Sequence, residues 1–133
     1  MINHHELRLG NFLLQKINNR ISTVLCNFKH FEMCERGETK DLFPVVLKPE
    51  IFLKCSFIEN KEYALLPHAK EFYLPLPLQG KEDNRIYGYM KSNGESFCRA
   101  SVNNLICSNN FFHLHQLQNL HFFLTGKELE FKP

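Results

Sequence analysis

The sequence predicts an α+β fold, in which antiparallel strands (a small meander or barrel-like sheet plus a hairpin) pack with one short helix and one C-terminal helix. Three observations favour this class. Short apolar runs are separated by turn residues, Asn93-Gly94 joins two alternating segments, and the charge-free stretch from Ala100 to Gly126 ends in a helical pattern. The 133 residues, 44% of them hydrophobic, suffice for one core, so we expect a single domain over 1–133.

The first third of the chain is predicted to be a small antiparallel meander. The segments Asn11–Leu14 and Ile21–Phe28 are rich in apolar and β-branched residues, and Asn18-Asn19 between them tolerates the left-handed backbone of a tight turn. Phe31–Cys34 is expected to continue or pair with these strands. Arg36-Gly37 is then the next turn.

A short helix is predicted over Lys48–Cys55. Pro49 suits the first helical position, where its missing N–H is harmless, and Glu50 complements the helix dipole. The residues spaced for one face of this helix are Leu47, Ile51 and Cys55.

The middle of the chain is predicted to hold two further strands, Tyr63–Leu66 and Phe72–Leu78. Because Pro67, Pro75 and Pro77 limit ladder pairing, Leu74–Leu78 is expected to lie at a sheet edge or to form an extended polyproline-like segment. Gln79–Asn84 is expected to form a polar loop.

The strongest hairpin signal joins Arg85–Lys91 to Ser96–Val102 through Ser92-Asn93-Gly94-Glu95. The Asn-Gly pair supplies two residues that accept positive φ. Alternation places Ile86, Gly88 and Met90 on one face and Tyr87 and Tyr89 on the other.

The C-terminal region is predicted to contain a short strand at Leu105–Cys107, a helix from about His115 to Thr125, and a last strand over Lys127–Lys132. Gly126 suits the left-handed helix cap. The predicted buried stripe of the helix is Leu117, Leu120 and Leu124, widened by Phe123. In the last strand, Leu129 and Phe131 are expected to point inward.

The uncharged polar face of this helix has two interpretations. In the first, strands surround the helix, and Gln116, Gln118 and Asn119 hydrogen-bond to buried backbone. In the second, these amides and His121-Phe122 face a partner, since interface cores are depleted in charge.

Composition favours a protein of the cytoplasm. The net charge of +2 is mild, and Lys and Arg alternate with Glu and Asp, so nucleic-acid binding is permitted but not indicated. Five dispersed cysteines without a Cys-x-x-Cys motif are typical of reduced thiols. The N-terminus lacks the pattern of a signal peptide, and no apolar run is long enough to span a membrane.

Motifs of catalysis are absent from the sequence, so we expect neither an enzyme nor a cofactor. The chain has no Gly-x-Ser-x-Gly, phosphate-binding glycine loop or His-Glu-x-x-His. His113 and His115 would diverge on a helix, His121 lies six residues beyond His115, and no Cys is close in sequence to these histidines. We therefore expect no metal site and interpret His113 and His115 as polar residues at the start of the helix.

The residues predicted to bind a partner protein lie in the middle of the chain and its hairpin. Tyr and Arg are common in binding hot spots, and an antiparallel strand can leave one face in solvent. These candidates are Tyr73, Tyr87, Tyr89, Lys91 and Arg99. The alternative is a nucleic-acid-binding accessory protein, in which bases stack on a strand surface formed by Lys16, Arg20, Lys29 and Phe31; against it, Phe28 and Phe31 are expected in the core.

Three blocks resemble a known family. Glu6–Asn11 reads E-L-R-L-G-N, Phe43–Phe57 surrounds the short helix, and His113–Leu129 contains H-Q-L-Q-N-L-H-F-F-L-T-G. Together they resemble a family of small uncharacterised proteins of Bacteroidetes-type bacteria, their phages and prophages. Two positions depart from the family pattern: Lys48-Pro49 replaces a Thr cap, and Ser56 replaces the Gly that ends the short helix.

The resemblance implies a phage or mobile-element setting in the cytoplasm of a bacterial host. It provides no catalytic residues. Small non-catalytic proteins from this setting often bind host machinery, and inhibitors of defence nucleases, including anti-CRISPR proteins, are one such class. The implied partner is therefore a host protein, for example an RNA-guided RNA nuclease of type VI-B or its RNA complex.

Overall fold

The computed structural model describes Ile2 and residues 4–61, 70–77 and 84–133. Within these ranges the chain forms two antiparallel sheets, of three and five strands, together with three α-helices. The predicted α+β class is therefore confirmed. Neither of the described sheets closes into a barrel.

The three-stranded sheet has the order β2-β1-β3, and the five-stranded sheet has the order β4-β5-β6-β7-β8. The strands are β1 (Phe12–Ile17), β2 (Arg20–Leu25), β3 (Leu42–Phe43), β4 (Ile58–Asn60), β5 (Lys70–Pro75), β6 (Arg85–Met90), β7 (Ser96–Val102) and β8 (Leu105–Ile106). The helices are α1 (Phe28–Glu35), α2 (Pro49–Lys54) and α3 (Leu114–Thr125), and a 3-10 turn covers His4–Glu6.

The β1–β2 hairpin matches the predicted start of the meander. Its two-residue turn is Asn18-Asn19, with φ values of 52° and 62°. Asn adopts this left-handed backbone more readily than other non-glycine residues, so the turn is encoded locally.

The predicted strand at Phe31–Cys34 is wrong, because these residues belong to helix α1. Asn27 caps the helix by accepting a hydrogen bond from the Lys29 N–H at 2.9 Å, and its own N–H donates to His30 Nδ1 at 3.0 Å. The helix buries His30 and Cys34, which stand one turn apart. A polar residue on the buried face conceals the helical period from a reading of hydrophobicity alone.

Strand β5 lies between β4 and β6, and the predicted edge segment begins within it. Leu74 and Pro75 pair with β6, and no β4 residue is paired with them, so the edge prediction is confirmed for these two residues. Pro75 is accommodated because the last β4–β5 pair is Ile58 with Tyr73, and β4 does not reach Pro75. The predicted strand at Tyr63–Leu66 lies outside the described residues, as does the predicted loop apart from Asn84.

The β6–β7 hairpin is confirmed, but its turn differs in detail. The Gly94 N–H donates to the Lys91 carbonyl at 2.9 Å, and the Lys91 N–H donates to the Glu95 carbonyl at 2.8 Å. Gly94 has φ 88°, whereas Asn93 is not among the positive-φ residues. The turn therefore uses one left-handed residue rather than two.

Helix α2 is confirmed, with Pro49 in its first turn and Phe52 fully buried. Ser56, which follows the helix, has φ 67°. This is the left-handed backbone that favours glycine, and serine adopts it here.

The main core lies between the inner face of the five-stranded sheet and helices α2 and α3. The Phe52 ring of α2 packs against β6 at Gly88, where an added Cβ would lie 2.6 Å from the nearest atom of the ring. The largest fully buried side chains of the main core include Phe52, Phe72, Leu47, Ile86, Leu114 and Leu117. A second core, formed by Ile2, Leu13, Cys26, Cys34 and Leu42, joins the three-stranded sheet to α1.

Helix α3 ends at Gly126, which has the predicted left-handed backbone at φ 72°. Leu117 is fully buried, and Leu120 and Leu124 pack against the core. The prediction for Phe123 is wrong, since it is 85% exposed. At about 100° per residue, Phe123 stands roughly 120° around the helix from Leu117.

The segment after α3 is not a strand, so the predicted last strand is wrong. The predicted inward positions are nevertheless correct, because Leu129 is buried and the ring centroid of Phe131 lies 4.7 Å from that of Phe12. Alternating burial here requires an extended chain but no strand partner. Among the described helices, none has the length and apolar content to span a bilayer.

Candidate functional site

The five predicted partner-binding residues lie on one surface, the outer face of the five-stranded sheet. Alternation along three strands projects them away from the core. We call this surface the aromatic–cation face and define it by Tyr73, Arg85, Tyr87, Tyr89, Lys91, Phe97 and Arg99. All but the exposed Lys91 are half-buried.

Strand register brings these side chains into contact. Tyr87 of β6 is paired with Tyr73 of β5 on one side and with Arg99 of β7 on the other. Tyr89 is paired with Phe97. Directly opposed residues in an antiparallel sheet have side chains on the same face, so residues distant in sequence form one continuous row.

The aromatic rings stack on one another along this row. The ring centroids of Tyr87 and Tyr89 are 6.0 Å apart with planes inclined by 22°, and those of Tyr89 and Phe97 are 5.2 Å apart with planes inclined by 28°. Phe112, which precedes α3, extends the row at 6.2 Å from Phe97. The rings therefore fix one another's orientation.

Three cations lie over these rings. The Arg85 Cζ is 4.5 Å from the Tyr73 centroid, and the Arg99 Cζ is 5.0 Å from the Tyr89 centroid. The Lys91 Nζ is 5.5 Å from the Phe97 centroid and 3.0 Å from a carboxylate oxygen of Glu95. Each contact is within the range of a cation–π attraction.

A buried carboxyl group, Glu71, lies among these groups. It is paired with Tyr89 across the β5–β6 ladder and accepts a hydrogen bond from Asn60 Nδ2 at 3.3 Å. Burial raises the pKa of Glu71, and the Asn60 hydrogen bond and the charges of Arg85 and Arg99 oppose that rise. Glu71 thus supplies the guanidinium groups with an internal counter-charge.

Arg85 and Phe97 were not among the sequence predictions, although their signal was present. Arg85 has the same parity as Tyr87 and Tyr89 along β6, and Phe97 has the same parity as Arg99 along β7. Strict period-two counting from the predicted residues would have identified both. Glu71 likewise has the same parity as Tyr73 along β5, but its burial was not predictable, because a carboxylate in a strand is ordinarily a solvent-facing residue.

The alternative nucleic-acid residues do not share a strand surface. Lys16 is paired with Ile21 and Arg20 with Ile17, so Lys16 and Arg20 lie on opposite faces of the β1–β2 hairpin. Lys29 and Phe31 belong to α1, and Phe31 packs against the second core. The expectation that Phe31 is a core residue is confirmed, whereas Phe28 is exposed.

The amides of α3 follow the buried interpretation. Gln118 is 1% exposed, accepts a hydrogen bond from the Phe12 N–H at 2.8 Å and donates to the Gly10 carbonyl at 3.2 Å. Asn119 Nδ2 donates to the Glu6 carbonyl at 2.7 Å, and its Oδ1 accepts from Asn11 Nδ2 at 2.8 Å. These side chains therefore hold the N-terminal segment against the helix.

One part of the helix surface remains open. Phe123 is exposed, and Phe122 is partly exposed beneath the Arg8 guanidinium, whose Cζ lies 4.3 Å from the ring centroid. Arg8 also pairs with Glu128 and donates to Asn119 Oδ1 at 3.1 Å. Phe122 is thus engaged within the molecule, and Phe123 is the aromatic group that α3 leaves to solvent.

An acid–base pair joins Glu6 to the start of α3. His115 Nε2 donates to Glu6 Oε2 at 3.1 Å, and Gln116 Nε2 donates to the same oxygen at 3.2 Å. His115 is only 1% exposed, so a substrate in solvent cannot contact its ring. Burial lowers the pKa of His115, while the Glu6 hydrogen bond and charge act in the opposite direction. The pair is therefore a structural contact.

Acid is expected to destabilise the fold through His30 and His115. Burial lowers the pKa of both rings below the ordinary 6.5, so the unfolded chain binds protons at a higher pH than the folded chain. The free energy of unfolding should therefore fall as the pH drops through about 6.5, with no contribution from these rings above it. Urea titrations at about pH 7.5 and about pH 5.5 measure the change.

The matched variant for this prediction is His30→Gln. Glutamine at this position can still accept the Asn27 N–H in a capping box but does not titrate. We expect a smaller loss of stability between the two pH values in the variant than in the wild type. An equal loss in both proteins would contradict the assignment to His30.

Four of the five free thiols are buried, and Cys107 is exposed. Burial raises the pKa of Cys55 to about 12, and burial with the neighbouring Cys34 raises the pKa of Cys26 to about 11. A thiol must ionise to act as a nucleophile, so these two side chains behave as core residues. In the parts of the chain that the structure covers, no group of three or more His, Cys, Asp or Glu could hold a metal ion.

Comparison of the chain with protein-family models, with curated proteins and with solved structures found no significant match. The resemblance to phage and prophage proteins of Bacteroidetes-type bacteria stays a prediction. The aromatic–cation face is therefore the feature of the molecule from which a function can be inferred.

Proposed function

We propose that this protein is a non-enzymatic binding protein that contacts a partner protein through the aromatic–cation face. One observation carries the proposal: side chains from three strands form a single stacked row on the sheet surface that faces away from the core. Tyr and Arg are the residue types that most often dominate protein interfaces.

Preorganisation supports a binding role for this surface. Tyr89 is held by stacking on Tyr87 and Phe97 and by the guanidinium of Arg99. Side chains that are already ordered lose little conformational freedom on association, so more of the contact energy appears as affinity.

Ring orientation favours a protein over single-stranded nucleic acid. Bases bind by stacking on open aromatic faces. Here the faces of Tyr87, Tyr89 and Phe97 are used in stacking on one another, and Arg99 covers part of Tyr89. The hydroxyl groups and guanidinium N–H groups of this surface suit the carbonyl and carboxylate groups of a protein surface.

The setting implied by the resemblance suggests the partner. A small binding protein of phage or prophage origin, acting in the host cytoplasm, would serve as an inhibitor of a defence nuclease. We therefore propose an anti-CRISPR role, with a type VI-B RNA-guided RNA nuclease or its RNA complex as the target.

The test is a binding titration between this protein and a purified type VI-B nuclease loaded with its guide RNA. The double substitution Tyr87→Ala and Arg99→Ala should raise the Kd by about 30-fold or more, because it removes a stacked ring and a guanidinium from the centre of the face. The RNA-cleavage activity of the nuclease should recover in parallel.

The control is the double substitution Lys16→Ala and Arg20→Ala, which removes charge from the β1–β2 hairpin. Its Kd should stay close to the wild-type value. Undiminished binding by the Tyr87/Arg99 variant would contradict the proposed surface, and no binding by the wild type would contradict the proposed target. A labelled single-stranded RNA that binds with steep salt dependence, and loses affinity in the Lys16/Arg20 variant, would favour the nucleic-acid alternative.

A further inference from the structure

Strand β2 is the outer strand of the three-stranded sheet, and no described strand pairs with its free edge. Its Ile21 and Leu25 side chains are 61% and 52% exposed. Natural edge strands are usually protected by Lys, Pro, a bulge or a covering segment. The sequence of β2, Arg-Ile-Ser-Thr-Val-Leu, has no Pro or Lys, and its one charge lies at the turn. Among the described residues, therefore, nothing in the sheet order prevents another strand from pairing with this edge.

The phase of the β1–β2 ladder defines which backbone groups face outward. The Cys26 N–H donates to the Asn11 carbonyl at 2.7 Å, and a two-residue turn closes the hairpin between Ile17 and Arg20. Since bonding alternates along an antiparallel strand, every second residue of β2 is bonded to β1. The residues whose N–H and C=O groups point to the free edge are therefore Ile21, Thr23 and Leu25.

We propose that β2 pairs antiparallel with β2 of a second copy of this chain, about a two-fold axis that passes through Thr23. In this register Thr23 faces its own copy, and Ile21 faces Leu25 of the second molecule. Each of these pairs exchanges both backbone hydrogen bonds, so all outward N–H and C=O groups of the strand are satisfied. The two three-stranded sheets become one continuous sheet.

Side-chain chemistry is self-complementary in this register. Exposed Ile21 contacts exposed Leu25 of the second molecule, and the Thr–Thr pair at the axis is a favourable cross-strand pair. The two Arg20 side chains lie at opposite ends of the ladder, about 20 Å apart at roughly 3.3 Å per residue, so their charges do not oppose each other. These matched apolar pairs favour a second copy over a foreign strand.

Other registers use the edge less completely. Moving the axis to Ser22 would place Asn19, which lies in the turn, opposite Leu25. Moving it to Val24 would place Asn27, the cap of α1, opposite Ile21. The Thr23 axis alone pairs all of the outward-facing residues of β2 with one another, and this makes the register testable.

The first experiment is sedimentation velocity of the full chain over a wide concentration range. We expect a reversible monomer–dimer equilibrium. Thr23→Lys would set two like charges directly opposite each other at the axis, and should raise the dimer Kd by about tenfold or more. Ser22→Lys adds the same charge to the same exposed strand but faces Val24 of the second molecule, so its Kd should change by less than about threefold.

The second experiment tests the axis by cross-linking, in a background of Cys107→Ser that removes the exposed thiol. A hydrogen-bonded antiparallel pair has Cα atoms about 5.5 Å apart, within the range of a disulfide. Thr23→Cys should form a covalent dimer under mild oxidation, whereas Ser22→Cys should not.

Three results would overturn the proposal. The first is a monomer at every concentration, which would leave the edge to an extended segment of another protein. The second is a dimer that Thr23→Lys does not weaken. The third is cross-linking through Ser22→Cys in preference to Thr23→Cys. As a control, the thermal unfolding of each variant should be measured to check that the protein remains folded. Because the inference does not depend on the aromatic–cation face, its outcome is separate from that of the nuclease-binding test.

Discussion

Phe52→Ala is expected to lower the free energy of unfolding by about 3–5 kcal/mol. Phe52 is fully buried, and its ring packs against Phe57 at 5.2 Å and Phe72 at 5.4 Å between ring centroids. Removing it leaves a cavity between α2 and the sheet that close-packed neighbours cannot fill. Urea unfolding followed by circular dichroism measures the loss. Phe123→Ala deletes the same group from an exposed position and should change stability by less than about 0.5 kcal/mol.

The contact between Phe52 and Gly88 makes this prediction sharper. In the wild type, Gly88→Ala should destabilise by about 1–3 kcal/mol, because the added Cβ would lie 2.6 Å from the Phe52 ring. In the Phe52→Ala background that clash is gone, and alanine is the better strand residue by about 0.5–1 kcal/mol. The sign of the Gly88→Ala effect should therefore reverse. A cost that is the same in both backgrounds would contradict the proposed fit.

Gln118→Met is expected to lower the free energy of unfolding by about 2–4 kcal/mol. The substitution keeps the length of the side chain but removes the acceptor for the Phe12 N–H and the donor to the Gly10 carbonyl. Two backbone groups beneath α3 then lose their partners, and each costs about 1–3 kcal/mol. The measurement is the same urea titration.

The control for this prediction introduces methionine on the same helix, at the exposed Phe123. Phe123→Met should be nearly neutral, within about 0.5 kcal/mol. Amide exchange can locate the effect, since the Phe12 N–H should lose protection in Gln118→Met while the β6–β7 ladder is affected only through global stability. Wild-type stability of Gln118→Met would show that the amide is not needed by the N-terminal segment.

The contacts of Gln118 and Phe52 show which surfaces of the molecule are used for internal packing. Gln118 and Asn119 use the uncharged face of α3 to hold residues near the N-terminus. Phe52 and Gly88 close the inner face of the five-stranded sheet. The outer face of that sheet is free of both tasks, and its side chains contact one another instead of the core.

Turns and caps were predictable from the sequence because they depend on neighbouring residues. Asn18-Asn19, Gly94 and Gly126 all adopt positive φ where the sequence indicates a turn or a helix end. Pro49 begins α2 as predicted. These signals act within a few residues, so no knowledge of the rest of the molecule is needed.

Helix α1 was missed for the opposite reason. Its apolar run resembles a strand, and the histidine on its buried face interrupts the helical period. His30 is acceptable there because Gln15 Oε1 lies 3.0 Å from its Nε2 and the Asn27 N–H donates to its Nδ1. The Gln15 contact joins α1 to β1 and arises only in the folded molecule, so tertiary packing overrode local propensity.

The sequence by itself determined the α+β class, the two hairpin turns, the start of α2 and the end of α3, because alternation, turn residues and caps act over short distances. It also selected five residues of the aromatic–cation face by residue type, namely Tyr73, Tyr87, Tyr89, Lys91 and Arg99. Only the tertiary structure decided that these residues form one row, that Arg85, Phe97 and Glu71 belong with them, and that no described strand covers the outer edge of β2. Strand order and register set which distant residues meet, and neither is encoded in any local window of the chain.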